Sequence, residues 1–131
     1  MKICQVVPCF PYQEHFEGRP VEKGYHVGGV ERHVYYLSQK LLELGNEVTI
    51  FTTKAPQHNN LSEIDSDINI YRVPISVPLY ASSIPLRILK DLKLEEYDII
   101  HAHTPTPAIA DLSALKNIKK RKPFILTYHN D

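Results

Sequence analysis

The sequence predicts an α/β protein with a Rossmann-like, doubly wound parallel sheet of about five strands. Three observations support this prediction. Short apolar segments rich in β-branched residues recur along the chain, amphipathic or polar segments separate them, and glycine or proline marks most boundaries. The 131 residues are enough for one domain with its own core and too few for two.

The first strand and helix follow from the spacing of apolar residues. Residues 2–8 are predicted to form a strand that is buried on both faces. Residues 9–27 form a long connection, and because compact domains seldom keep such loops without a use, we expect a functional lid or a mobile segment. A helix then ends at Gly45, and its apolar residues recur at spacings of four and three: Val30, Val34, Leu37, Leu41 and Leu44.

The middle of the chain continues the alternation. Residues 47–53 are rich in β-branched side chains and predict a second strand, joined to the first by a right-handed crossover. Residues 54–67 are polar, and we expect a surface connection without a full crossover helix. Residues 68–74 alternate between apolar and polar and predict a third strand. Ser82 or Ser83 is expected to cap the helix that follows.

The last third predicts a strand, a helix and a strand, over residues 97–103, 108–119 and 123–129. The apolar positions of this helix are Ala108, Ile109, Leu112, Leu115 and Ile118. Because each crossover should be right-handed and the winding reverses once, the predicted strand order is 3-2-1-4-5.

A pair of glycines precedes the first long helix, and the fourth predicted strand ends in a histidine. In doubly wound sheets, ligands bind beyond the carboxyl ends of the strands where the winding reverses, here between strands 1 and 4. We therefore expect Gly28 and Gly29 to face the same crevice as His103. Backbone N–H groups at a helix start favour a phosphate or another anion. The alternative is that the glycines only permit a tight turn and close helix–strand packing.

His101 and His103 should lie on one face of their strand, since side chains alternate along it. A metal site would need a third ligand, which His129 or Asp131 at the neighbouring strand end could supply. The alternative is that His101, deeper in the strand, is a core histidine with satisfied hydrogen bonds. His103 lies at the strand exit, where it could bind substrate hydroxyls or, alternatively, cap the Thr-Pro turn.

Composition and missing motifs exclude several functional classes. Fifteen Lys and Arg residues balance fifteen Asp and Glu residues, so no net charge favours nucleic acid as a partner. No apolar run approaches the ~20 residues that cross a bilayer, and we expect a soluble, cytoplasmic protein. Cys4 and Cys9 match no zinc spacing and are predicted to be buried or inert thiols. A dinucleotide Gly-x-Gly-x-x-Gly, a Walker lysine motif and a Gly-x-Ser-x-Gly elbow are all missing from the sequence.

Four segments, taken in order, resemble glycosyltransferase family 4. Residues 28–34 (GGVERHV) lead into a helix and then into residues 44–52 (LGNEVTIFT), which is similar to the family's first helix and second strand. Residues 97–105 (YDIIHAHTP) and 126–131 (LTYHND) are similar to two further N-terminal signatures of the family. The matches span nearly the whole chain, and their combination is specific.

The resemblance implies one lobe of a GT-B fold over residues 1–131: the N-terminal, mainly acceptor-binding domain of a retaining hexosyltransferase. Such an enzyme moves a sugar from a nucleotide-sugar donor, which is a substrate, and needs no metal or other cofactor. The resemblance implies that Gly28 and Gly29 approach the donor diphosphate. It also implies that His103 lies beside the reacting sugar as the catalytic residue.

Four further residues are implied to lie in the cleft on the acceptor side: Glu31, Thr104, His129 and Asp131. Glu31 follows the glycines, where it either orients the loop or begins the helix. His129 and Asp131 follow the last predicted strand, where they either line the crevice or fray.

The resemblance also implies a second Rossmann-like domain, which holds the nucleotide and is not among these residues. Because stabilising a leaving diphosphate needs donors from both lobes, this part alone is predicted to be nearly inactive. The expected partners are a sugar acceptor, the shared donor and, through the full enzyme, a membrane surface. An exposed sheet edge also predicts self-association. The alternative function is a non-catalytic module that binds a glycan or a protein.

Overall fold

The computed structural model of the chain describes residues 1–18, 20, 25, 27–77, 84–104 and 108–129. In this part of the chain, six strands form one sheet: β1 (Lys2–Val6), β2 (Glu47–Thr53), β3 (Ser62–Asp65), β4 (Ile68–Val73), β5 (Ile99–Thr104) and β6 (Phe124–Tyr128). The helices are α1 (Gln13–Phe16), α2 (Gly29–Glu43), α3 (Ile88–Asp91) and α4 (Ile109–Lys120), with a 3₁₀ turn at Leu94–Glu96.

The strand order in the sheet is β3-β4-β2-β1-β5-β6. The five predicted strands therefore occur in the predicted order, and all the pairs among them are parallel. The polar composition of residues 54–67 predicts only a surface connection, and the antiparallel edge strand β3 is missed. Ser66 and Asp67 both have positive φ (48° and 68°), which is the geometry of a tight hairpin turn. Neither residue is the glycine that usually marks such a turn.

The two faces of the sheet are covered by different helices. On one face, side chains such as Ile50 and Ile70 pack against Val34 of α2. On the other face, Val6 and Ile100 belong to a cluster with residues of α3, the 3₁₀ turn and α4. Because helices on opposite faces flank the β1–β5 pair, the winding reverses there. The doubly wound, Rossmann-like class is thus confirmed.

Two helix predictions need correction. Ser82 and Ser83, the predicted caps of the middle helix, lie outside the described residues. The described part of that helix is shorter than predicted, because it consists of the four residues of α3 and the 3₁₀ turn. The helix α2 does stop near Gly45, whose φ of 79° suits a glycine at a helix end. Leu44, placed on its apolar face by the sequence, is instead exposed.

The helix α4 has nearly its predicted bounds, but part of its predicted apolar face is wrong. Leu115 and Ile118 are 57% and 68% exposed, whereas Ser113 and Asn117 are buried. Small Ser113 lets the helix lie close to its neighbours, and the Asn117 side chain bonds both the N–H and the C=O of Lys122. A polar anchor at the end of the helix therefore decides which side of α4 faces inward.

The described parts of the long connection after β1 are packed against the domain. Phe10, Tyr12 and Tyr25 are all buried, and the short helix α1, which the sequence pattern does not predict, lies between them in the chain. Tyr25 Oη accepts a hydrogen bond from the Phe10 N–H at 2.9 Å. The lid and the mobile segment remain hypotheses only for residues 19, 21–24 and 26, which lie outside the described part.

Two further expectations concern thiols and membrane spans. Cys4 and Cys9 are free thiols, and burial raises the pKa of Cys4 far above its usual range, which makes that thiol unreactive. None of the helices in the described ranges has the length and apolar character that crossing a bilayer requires.

We expect the chain to self-associate through β6. This strand lies at the sheet edge and exposes Ile125 (48%) and Leu126 (57%) on its two faces. Exposed apolar edge strands pair with other chains. Leu126→Lys should weaken self-association by about tenfold or more, because one buried leucine contributes about 1.5–3 kcal/mol. Sedimentation velocity at increasing concentration measures this, with exposed Leu44→Lys as the control. A strict monomer at high concentration would contradict the prediction.

Candidate functional site at the carboxyl edge of the sheet

The start of one helix and the ends of two strands meet at the carboxyl edge of the sheet. The strand β5 ends at Thr104, and His129 directly follows β6. One turn into α2, the ring of His33 lies 5.2 Å from the ring of His129 and 6.3 Å from that of His103, between centroids. The glycine turn and the two strand ends therefore lie side by side, next to the β1–β5 pair.

Four imidazoles form what we call the histidine cluster: His33, His101, His103 and His129. The rings of His101 and His103 lie 4.2 Å apart and those of His103 and His129 lie 5.4 Å apart, between centroids. The prediction that His101 and His103 share one face of the strand is confirmed. The cluster runs from the half-buried His101 to His33, which is exposed to solvent.

His103 is fully buried, although its place in the sequence predicts an open strand exit. Its Nε2 lies 2.7 Å from Gln5 Oε1 and its Nδ1 lies 3.1 Å from His129 Nε2. Burial, followed by the neighbouring histidines, lowers the pKa of His103 to about 3, so its ring is neutral at ordinary pH. Both ring nitrogens are therefore used inside the protein, and His129 is the partly exposed end of the pair.

His101 has its own partner in the next strand. Its Nε2 lies 2.7 Å from Thr127 Oγ1, and burial is the main cause that lowers its pKa. This agrees with the alternative that His101 is a satisfied, partly buried histidine. Within the residues that the structure describes, no three His, Cys, Asp or Glu side chains are arranged to hold a metal ion. The metal site suggested for His101, His103 and His129 is therefore unsupported, and Asp131 lies outside the described residues.

The glycine pair opens α2 without any demand from its own backbone. Neither Gly28 nor Gly29 has positive φ. A Cβ added to Gly29 would meet no described atom within 4 Å, and one added to Gly28 would meet only Glu31 Oε2 at 3.5 Å. Packing among the described residues thus does not explain why glycine occupies both positions.

Glu31 caps the start of this helix. Its Oε2 accepts a hydrogen bond from the Gly28 N–H at 2.7 Å, and a carboxylate in the first turn also suits the helix dipole. The two readings of Glu31 therefore merge, since the residue that begins the helix also holds the glycine turn. Its carboxylate occupies part of the anion-favouring end of α2.

Glu31→Ala should lower the free energy of unfolding by about 1 kcal/mol, because Gly28 has no side chain to replace the lost cap. Urea denaturation followed by circular dichroism measures the change. The control is Glu43→Ala at the other end of α2, where the pair with Lys40 is exposed and should contribute less than about 0.5 kcal/mol. Equal losses in the two variants would show that the cap adds nothing.

The remaining site residues are placed as follows. Thr104 is half-buried, and its Oγ1 is buried without a hydrogen-bond partner among the described residues. Sequence reasoning missed two residues of the site, Gln5 and His33. A signal for each existed: Gln5 is the one polar residue within a run of apolar ones, and His33 follows Gly29 by one helical turn.

The fold and this edge together define a class: a Rossmann-like α/β lobe of the GT-B type, with a glycine turn facing a pair of histidines. The sequence model described as Glycosyltransferase Family 4 matches residues 27–131. The chain belongs to this family.

Curated relatives are similar over part of the chain. The phosphatidylinositol N-acetylglucosaminyltransferase GPI3 subunit of Saccharomyces cerevisiae is 32% identical over 83 residues, which is 59% of this chain and 18% of the relative. A relative from Homo sapiens, which is a subunit of the enzyme of the same name, is 33% identical over 91 residues, or 64% of this chain and 19% of the relative. The chain thus matches less than a fifth of the length of either relative.

One solved structure shares the fold over nearly the whole chain. Sucrose-phosphate synthase from Thermosynechococcus elongatus aligns with a TM-score of 0.59 and 18% identity, covering 99% of this chain and 33% of that one. At this level of identity the likeness is one of fold. It agrees with the GT-B lobe that the resemblance implied.

Proposed function

We propose that this chain is the acceptor-side part of a glycosyltransferase that moves a hexosyl group from a nucleotide-sugar donor to an acceptor. The observation that carries the proposal is the contact between the first turn of α2 and the histidines after β5 and β6, with His33 and His129 5.2 Å apart. In a chain of family 4, this edge is where a donor diphosphate and a reacting sugar would meet the lobe.

In this proposal the groups of the edge divide the work. Gly28 and Gly29 let the diphosphate approach the backbone at the positive end of α2, where N–H groups favour negative charge. His129 contacts the reacting sugar or its leaving phosphate, and His103 acts behind it through the hydrogen bond between the two rings. Thr104 and Asp131 belong to the acceptor side of the cleft. Hydrogen-bond donors aimed at a leaving diphosphate stabilise the charge that develops there.

The proposed reaction needs a second, nucleotide-holding lobe and no metal. We expect the chain alone to transfer sugar negligibly, because one lobe supplies only part of the stabilisation of the leaving group. Addition of a donor-binding domain should restore transfer, and a chelator should leave the restored rate unchanged. The names of the relatives make an activated N-acetylglucosamine and phosphatidylinositol the first donor and acceptor to test.

The test mixes the chain with a separately produced donor-binding domain and measures transfer or donor hydrolysis. His129→Ala should lower kcat by about a hundredfold or more, the usual effect of losing a positioned imidazole. The control is His58→Gln, a histidine outside the cluster that stacks on Tyr12. If no donor-binding partner restores either reaction, while calorimetry detects tight binding of a glycan, the chain is a binding module instead.

Gly29→Ala should raise the KM for the donor by about tenfold while leaving stability within about 1 kcal/mol of the wild type. An added methyl meets nothing in the described part of the chain, so only a ligand that approaches the backbone would be obstructed. The matched control is Gly45→Ala. Its φ of 79° makes that change destabilising, and its place at the far end of α2 should leave KM unchanged. An unchanged KM in Gly29→Ala would argue against the diphosphate site.

A further inference from the structure

Strand β1 carries one polar side chain into the core. Gln5 is fully buried, and its Oε1 lies 2.7 Å from His103 Nε2. Its Nε2 is buried and has no hydrogen-bond partner among the described residues. Burying an amide costs free energy unless its groups are hydrogen-bonded, so a partly satisfied glutamine is a poor choice for stability alone.

The bond to Gln5 determines where the protons of the next two groups must be. An amide oxygen only accepts hydrogen bonds, so His103 Nε2 must carry a proton and donate it to Gln5. A neutral imidazole carries one proton, which leaves His103 Nδ1 as an acceptor. The group 3.1 Å from that nitrogen is His129 Nε2, which must therefore donate.

We propose that Gln5 is a positioning residue that fixes the direction of the hydrogen bonds along Gln5, His103 and His129. In this arrangement His129 holds a proton on Nε2 in both its neutral and its charged form. Nδ1 is then the nitrogen of His129 that gains or loses a proton. The direction is set from β1, through two rings, at a residue that itself touches no substrate.

The burial of His103 makes this arrangement the stable one. Burial and the other three imidazoles of the cluster lower its pKa to about 3, so His103 does not become a second proton carrier at neutral pH. A neutral ring between an obligate acceptor and a second histidine has one way to satisfy both of its nitrogens. Gln5 therefore acts on His129 although their side chains share no hydrogen bond.

The use of this arrangement in sugar transfer rests on the proposed function, but the arrangement itself is a property of the free chain. The experiment therefore needs no donor domain and no substrate. Long-range ¹H–¹⁵N correlation spectra of the imidazoles, assigned through single His→Gln variants, show which nitrogen of each ring carries the proton. At neutral pH we expect Nε2–H in His103 and Nε2–H in His129.

Gln5→Met is the variant that removes the acceptor at similar volume. A buried N–H without a partner is more costly than a ring nitrogen without one, so the proton of His103 should move to Nδ1 and donate to His129. The protons of both rings should then be reversed. The matched control is Thr52→Val on β2, which removes another buried polar group that has no partner among the described residues and should leave both rings as in the wild type.

Gln5→Glu keeps an acceptor oxygen and should restore the wild-type proton positions, which a purely structural role would not require. The amide spectrum of each variant reports whether it is folded. An Nδ1–H form of His103 in the wild type would reverse the Gln5 amide and overturn the proposal. Unchanged rings in a folded Gln5→Met would overturn it as well. Neither result depends on transfer activity, so failure here is distinct from failure of the proposed function.

Discussion

Arg72→Met should lower the free energy of unfolding by about 3–5 kcal/mol, the usual cost of removing one partner of a buried ion pair. Arg72 is buried at the end of β4, and its guanidinium bonds the carboxylate of Glu63 in β3. The same group donates to the carbonyl oxygens of Phe10 at 2.8 Å and Pro11 at 2.9 Å. One side chain thus joins the edge hairpin to the connection after β1, and its loss leaves a carboxylate and two carbonyls without their donor.

The control for this variant is Arg87→Met. Arg87 forms an exposed pair with Asp91 at 3.1 Å, and such pairs contribute about 0–1 kcal/mol. Urea denaturation of both variants gives the comparison. Tyr25→Phe removes a single acceptor of Arg72 and provides a milder test if Arg72→Met does not fold. A loss in Arg72→Met no larger than that in Arg87→Met would show that the guanidinium does not anchor the segment.

Lowering the pH from 7 to 5 should cost about 2 kcal/mol of stability through His103 alone. The unfolded chain binds a proton at His103 near pH 6.5, whereas the folded chain does so only near pH 3. Between these values the unfolded state holds more protons, so stability is complete above pH 6.5 and falls as the pH drops towards 3. Burial is the main cause of the lowered pKa, and the imidazoles of His101, His129 and His33 add to it.

The pH prediction is checked by urea denaturation at several pH values. His103→Gln should make the curve flatter between pH 7 and 5, whatever it does to stability at pH 7. A control that loses stability without losing an imidazole, Ile50→Val in the core, should keep the wild-type slope. The same slope in His103→Gln and in the wild type would mean that another group produces the pH dependence.

The elements that the sequence predicts correctly are those whose signal is local. The β-branched residues of β2 and the apolar run of β1 indicate buried strands, and Gly45 marks the end of α2. The missed elements lack such a signal. The turn before β4 uses Ser66 and Asp67 at positive φ, where a glycine would have revealed a hairpin.

The candidate site divides in the same way. The positions of the glycine turn and the histidines at element ends are visible in the sequence, which suffices to select Gly28, Gly29, His103 and His129. Glu31 is similar, because a carboxylate three residues after a helix start is a recognisable cap. The roles of these residues in catalysis and binding stay predictions.

By itself, the sequence determined the α/β class, the order of the five main strands and the membership in a glycosyltransferase family, because each depends on local periodicity or on motifs in order. The tertiary structure decided which histidine is buried and what its nitrogens bond. Gln5 and His103 lie 98 positions apart in the chain, and Arg72 and Phe10 lie 62 apart. Contacts of this kind form only when strands pair and segments pack, and no spacing along the chain specifies them.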